Sequence, residues 1–248
     1  MDSIPKVIHY CWFGRNPLPE SALKCIDSWK KYFPDYEIKE WNEDNFDVNS
    51  IPYTRDAYTA KKFAFVSDYA RFKILYEHGG LYFDTDVEVI KSFDDILARG
   101  SFMGCELDAT QGNAVNPGLG LGAPTGLNLY RMLIESYKHR DFLSSDGNYN
   151  LTTIVKYTTD LLVEEGFKAI NKIQTIKDVT IYPKEYFNPL NDNTGRLDIT
   201  SDTHSIHWYS KTWLNVSPFR MKLSRWAHRY IGYTLSRTLR IIFRIKST

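Results

Sequence analysis

The sequence predicts an α/β fold built on a mostly parallel sheet, and three observations carry that expectation. The chain opens strand, helix, strand, the order of a βαβ unit. A long helical stretch then runs through Gly79-Gly80 directly into an apolar strand. A length of 248 residues, 43% of them hydrophobic, is enough to bury one sizeable core.

The first strand is Val7-Ile8-His9-Tyr10-Cys11-Trp12-Phe13, ended by Gly14 and the Asn16-Pro17 turn signal. Ser21 to Phe33 has helical spacing through Ala22, Ile26, Trp29 and Phe33, with Pro34 just beyond. Tyr36 to Trp41 alternates as a second strand. Asp44 to Tyr58 is polar and reads as irregular. Ala60 to His78 is a strong helix, stopped by a left-handed Gly79-Gly80. Leu81 to Val89 reads as one strand, and Phe102 to Glu106 as another. Gln111 to Gly126, rich in Gly, Asn and Pro, reads as loop or tight turns. Leu127 to Tyr137 and Thr152 to Glu165 read as helices, the second stopped by Gly166. Thr180 to Pro183 and Ser205 to Tyr209 are expected as late strands.

Composition narrows the class. Three scattered cysteines, Cys11, Cys25 and Cys105, with no CxxC pair, argue against a disulfide scaffold and for a reducing, cytoplasmic setting. No secretory leader is visible, and no run of 18 apolar residues could span a bilayer. The net charge of +1 hides an asymmetry: nine basic and no acidic residues follow Asp202, so the preceding 22 basic and 30 acidic residues leave a body of −8.

The sharpest chemical feature is Asp84-Thr85-Asp86. Two carboxylates at i and i+2 of a strand would point the same way. Like charges that close repel unless a cation lies between them, and Asp is disfavoured within strands. A hard divalent ion, Mn2+ or Mg2+, sharing its sphere with substrate phosphates explains the pair. In the helix before it, Asp68 and Arg71 lie at i and i+3 on one face.

The whole string, Ser67-Asp68-Tyr69-Ala70-Arg71 followed by Gly79-Gly80-Leu81-Tyr82-Phe83-Asp84-Thr85-Asp86, resembles the SDxxR…GGxYxDxD signature of DXD sugar-binding glycosyltransferases. These are family 32, with the yeast mannosyltransferase-like enzymes and bacterial capsule-synthesis relatives. The opening Ile4-Pro5-Lys6-Val7-Ile8-His9-Tyr10-Cys11-Trp12-Phe13-Gly14 and the late His204-Ser205-Ile206-His207-Trp208-Tyr209-Ser210-Lys211-Thr212-Trp213 are similar to that family's two ends. The resemblance implies a GT-A-type fold, a nucleotide-diphosphate sugar as donor and retaining transfer. It implies that Trp12 stacks on the base and Tyr82 contacts the nucleotide. Asp68 and Arg71 would hold sugar hydroxyls and the phosphate or ribose. Asp84 would touch the ribose and the metal, and Asp86 would chelate the metal. His207 is the expected late metal ligand, with Ser210 and Trp213 on the donor, Trp213 from a closing loop. Asn116 would border the sugar and acceptor, although Asn116-Pro117-Gly118 departs from the family's commoner Asn-Asn-Ala. The catalytic set is then Asp68, Arg71, Asp86 and Asn116.

Residues 1–217 are expected to form the catalytic domain and 218–248 a basic amphipathic helical tail. In the tail Ile231, Leu235, Leu239, Ile242 and Phe243 share one face, with Arg225, Arg229, Arg237, Arg240 and Arg244 mostly elsewhere. Such a tail suits an anionic membrane surface at the inner face of the cell membrane, and an acceptor glycan held there on a lipid carrier. Nucleic acid is a poorer partner, since no reading motif accompanies the charge. Two alternatives stand beside this reading. Asp84-Thr85-Asp86-Val87 also fits the DxDxV pattern of aspartyl-phosphate phosphohydrolases, and a non-catalytic membrane-surface module would need no metal.

Overall fold

The computed structural model describes residues 3–108 and 112–210. The expected tail, and Trp213 with it, lie outside the described residues. β1 (Val7–Cys11), α1 (Glu20–Tyr32) and β2 (Glu37–Trp41) form the βαβ unit, β2 parallel to β1 with Val7 opposite Glu37 and Cys11 opposite Trp41. α2 (Pro52–Thr59) occupies chain that reads as irregular. Pro52 sits at its first position, where a missing N–H costs nothing, and Tyr53, Thr54 and Ala57 turn inward. α3 (Phe63–His78) begins three residues later than expected because Lys61 adopts a left-handed backbone, φ 56°.

Gly79 and Gly80, at φ 63° and 99°, end α3 and start β3 (Gly80–Tyr82). A Cβ on Gly80 would press on the Val7 carbonyl, so only glycine lets β3 lie this tightly against β1. His9, in the middle of β1, closes the same corner. Its Nδ1 accepts the Trp41 indole N–H at 3.0 Å, and its Nε2 donates to the Gly79 carbonyl at 2.9 Å. Burial holds the ring neutral by pushing its pKa down to about 4, helped by the positive neighbours His78 and Lys39.

The single strand expected from Leu81 to Val89 is two. β3 stays in the main sheet, while β4 (Val87–Val89) leaves it to pair elsewhere. α4 (Asp94–Leu97), β5 (Phe102–Asp108), β6 (Gly112–Val115) and β7 (Leu121–Ala123) follow. The last two replace the expected loop. Their partners are distant in sequence, and the flanking glycines and prolines mask two short runs whose inner residues Val115, Leu121 and Ala123 are wholly buried. Then come α5 (Asn128–Ser136), α6 (Ile154–Glu164), β8 (Gln174–Ile176), β9 (Val179–Tyr182), α7 (Lys184–Phe187), the hairpin β10 (Leu190–Asn191) and β11 (Arg196–Leu197), and β12 (Ser205–His207).

The sheet order is β2-β1-β3-β7-β5-β9-β8, with β6 beside β5. β2, β1, β3, β5 and β9 run one way and β7 and β8 against them, so the sheet is mostly parallel, as expected. Helices cover both faces. On one, α2, α3, α5 and α6 pack on Cys11, Tyr82, Met103, Leu121 and Ile181. On the other, α1, α4 and α7 pack on Ile8, Tyr10, Leu81, Phe83 and Phe102. A strand buried on both sides needs an unbroken apolar run, which is what β1 and β3 show in sequence. No helix among the described residues is long and apolar enough to cross a membrane.

Candidate active site

The site forms where β3 ends and the chain changes sheets. Asp84-Thr85-Asp86 lies in a turn closed by the Val87 N–H on the Asp84 carbonyl at 3.0 Å, so its carboxylates are not strand neighbours as expected. They converge because β4 pairs antiparallel with β12, His207 opposite Val87. The Trp208 N–H then reaches the Asp86 carbonyl at 2.9 Å, and the imidazole swings over the turn. Ligating atoms of Asp84, Asp86 and His207 all lie within 4.8 Å of one another. His207 Nε2 is 3.1 Å from Asp86 Oδ1. The Ser210 backbone N–H and hydroxyl both donate to Asp86 Oδ2, at 2.8 and 2.9 Å.

Electrostatics make this triad a candidate cation site. Burial opposes charge on both Asp86 and His207. At Asp86 the His207 charge and the Ser210 donors overcome it and drive the carboxyl far below the usual range. At His207 the charges of Asp86, Asp84 and Glu106 overcome it and raise the pKa to about 9. The cluster therefore holds a proton tightly where a divalent ion would sit, and a donor set of two carboxylates and an imidazole suits Mn2+ or Mg2+. A metal bound there would displace that proton.

Asp84 is fixed from three sides. The Tyr82 hydroxyl donates to its Oδ1 at 3.0 Å. Arg71 approaches both oxygens, at 3.3 and 3.4 Å. A Cβ on Gly118 would overlap Oδ2, so the Asn116-Pro117-Gly118 turn can lie against the carboxylate only with glycine there. Arg71 also pairs with Asp68 at 3.0 Å and lies over the Tyr82 ring. Burial pushes the Asp68 carboxyl up, against the pull of Arg71, with Asp84 adding to the rise. The 3.0 Å contact marks the pair as ionic. With its side chain 4% exposed, Arg71 has no surface to offer a phosphate in this structure. Tyr82, 1% exposed, has none for a nucleotide. Both hold Asp84 from beneath.

Trp12 is half-buried just past β1. Its indole N–H donates to the Asn16 carbonyl at 2.6 Å, and it lines a cleft of about 430 Å3 with Arg15, Glu40, Asn42 and Glu43. It thus lines the cleft while also packing against the core on the α1 side of the sheet. Asn116 is buried with both amide groups used: Oδ1 accepts the Gly118 N–H at 2.7 Å, and Nδ2 donates to Glu106 Oε2 at 2.7 Å. Sequence reasoning missed Glu106 and Tyr209. The Tyr209 hydroxyl donates to the same Oε2 at 3.0 Å, while its ring lies 4.3 Å from that of His207. The available signal was a carboxylate at the end of Phe102-Met103-Gly104-Cys105, an otherwise apolar strand.

Residues 19–103 match the family described as "Glycosyltransferase sugar-binding region containing DXD motif". Inositol phosphoceramide mannosyltransferase 1 of Schizosaccharomyces pombe is 29% identical over 114 residues, 42% of this chain and 34% of that protein. Inositol phosphoceramide mannosyltransferase 3 of the same yeast is 31% identical over 99 residues, 38% of this chain and 28% of that protein. The chain thus matches about a third of the length of these curated relatives. Among solved structures, PaToxG Glycosyltransferase superposes with a TM-score of 0.50 at 19% identity, over 66% of this chain and 70% of that one, and shares the fold.

Proposed function

We propose that this chain, which resembles the DXD glycosyltransferases of the family 32 type and has a GT-A fold, moves a hexose from a nucleotide-diphosphate sugar to a glycan acceptor, with retention at the anomeric carbon. The observation that carries the reading is the convergence of Asp84, Asp86 and His207 on one candidate cation position. Uridine diphosphate is the preferred carrier, with galactose, glucose or an N-acetylhexosamine. The mannosyltransferase names of the two yeast relatives make guanosine diphosphate-mannose the competing donor.

Asp84, Asp86 and His207 would hold the metal, which when bound supplies positive charge against the leaving diphosphate. The protein's own groups set the stage for this. Arg71 and Tyr82 fix Asp84, and Ser210 fixes Asp86, so the carboxylates need no rearrangement as charge develops. Trp12 would stack on the base. Asp68, part of whose carboxylate reaches the surface, would take a donor sugar hydroxyl. The acceptor oxygen would attack the same face that the phosphate leaves, with the departing phosphate taking the proton.

The phosphohydrolase alternative loses its ground. The match of residues 19–103 to a sugar-binding glycosyltransferase region, and the mannosyltransferase relatives, favour sugar transfer over it. A membrane-bound acceptor, a role in capsular or surface polysaccharide synthesis and attachment to the inner face of the cell membrane complete the proposal, supported by the basic tail sequence. The ceramide acceptor in the yeast relatives' names is consistent with such a surface. A screen of uridine and guanosine diphosphate sugars tests the activity: metal-dependent release of the nucleoside diphosphate from one donor is expected. Release from none of them, with metal present, would overturn the reading.

A further inference from the structure

A second cavity, of about 410 Å3, opens beside the candidate cation position. Its walls include Glu106 and Leu107 from β5, Lys184 from α7, Asn188, Leu190 and Tyr209. Two of these belong equally to the site already described. The Tyr209 ring lies 4.3 Å from that of His207, tilted by 60°, and Glu106 receives hydrogen bonds from Asn116 and Tyr209. Tyr209 has a left-handed backbone, φ 50°, unusual for a tyrosine. That conformation lets the next residue, Ser210, face Asp86 while the Tyr209 hydroxyl reaches the far cavity wall. The cation position and the cavity are thus neighbouring chambers with a shared wall.

The wall has a distinctive hydrogen-bonding character. Asn188 is 4% exposed; its Nδ2 donates to the Tyr209 hydroxyl at 2.6 Å, yet its Oδ1 is buried with no partner. A buried acceptor without a partner is left short of a donor, and Asn188 lines the cavity. Glu106 is an acceptor too, and its Oε2 is already held by two donors, which fixes the carboxylate in place. Between these polar groups Leu107, 56% exposed, offers aliphatic surface. Acceptors that call for O–H donors, set against an apolar patch, fit the two chemistries of a pyranose: its hydroxyls and its C–H face.

We propose that this cavity is the acceptor subsite and that it takes the terminal hexose of a saccharide, read by Asn188 and Glu106 through its hydroxyls. The proposal rests on the glycosyltransferase reading above for the word acceptor, but the binding chemistry is independent of it. A hexose seated there lies across the Tyr209 wall from the cation position, the side from which a hydroxyl could approach the donor.

The test uses the full chain and a cavity-filling variant, Leu107→Trp, at an exposed position where the fold tolerates bulk. Methyl α-mannoside, methyl β-galactoside and methyl β-glucoside are the probes, read by saturation-transfer NMR. At least one should give a signal on the wild type, reduced at least five-fold in Leu107→Trp and in Asn188→Ala, with both variants' folding checked by thermal unfolding. No signal from any of the three on the wild type, or an undiminished signal in a folded Leu107→Trp protein, overturns the proposal. Uridine and guanosine diphosphate with Mg2+ are run on the same samples. Loss of nucleotide signal from the wild type would sink the glycosyltransferase reading while leaving the saccharide result standing. Once a donor is known, the ratio of transfer to donor hydrolysis should fall at least ten-fold in Leu107→Trp. A fall of both rates together would instead place the donor sugar in this cavity and overturn the assignment.

Discussion

Two histidines, nearly equally buried, end in opposite states. His9 is 1% exposed and His207 8%. His9 faces an indole N–H and a carbonyl, with the positive neighbours His78 and Lys39 nearby, and stays neutral with its pKa down at about 4. His207 faces Asp86, Asp84 and Glu106, and its pKa rises to about 9. Burial opposes charge in both, so burial does not decide the outcome. The partners do: β1 wraps His9 in dipoles and cations, whereas the β4–β12 junction wraps His207 in carboxylates. One corner is structural, pinning the stop of α3. The other stores negative potential for a cation.

The largest effect that would break this contrast is Asp86→Asn. Sugar transfer should fall by roughly 10³-fold or more, and the His207 imidazole, followed by NMR titration, should drop from about 9 towards its ordinary range. Unmoved titration would mean that Asp86 is not what charges it. Gly118→Ala comes next. It forces Asp84 off its Arg71 and Tyr82 contacts and should cost roughly 10–100-fold in transfer and in metal affinity measured by calorimetry.

The pH dependence of stability sharpens the comparison further, because the two histidines give slopes of opposite sign. His9 has a folded pKa below its unfolded value near 6.5. Its contribution is therefore present above pH 6.5 and lost as pH falls towards 4, by about 3 kcal/mol. His207 has a raised folded pKa, so its contribution is complete below pH 6.5 and lost as pH rises towards 9. Denaturant unfolding of metal-free protein should therefore show a maximum near pH 6.5. A profile still rising at pH 8 would contradict the assignment at His207. The smallest effect is Tyr82→Phe: about 1 kcal/mol of stability and a several-fold loss of transfer, as Asp84 loses one of its hydrogen bonds.

Much of this was legible in the sequence because it is local. The βαβ opening, α3, its Gly79-Gly80 stop and the DXD turn are read from residues within one run, where periodicity and glycine chemistry act directly. His207 could be matched to Asp84 and Asp86 only through resemblance, since the two segments meet by pairing across more than a hundred residues. β6 and β7 were hidden for the same reason: each is a short run whose strand character comes from distant partners. That Arg71 and Tyr82 lie buried beneath Asp84 was not legible, because spacing says which residues share a face and not how deep that face lies. Glu106 and Tyr209 escaped because neither lies in a motif; only the folded sheet brings β5 and the end of β12 together.

The late arrival of β12 also orders events in the life of the chain. Everything needed for the main sheet, both helical layers and the DXD turn is in place by residue 187, but the imidazole at position 207 and the hydroxyl at 210 are not. A nascent or clipped chain ending before β12 could have nearly the whole architecture and still lack the cation site. Under the proposed function, such a chain would leave activated sugars untouched until synthesis had passed that last strand.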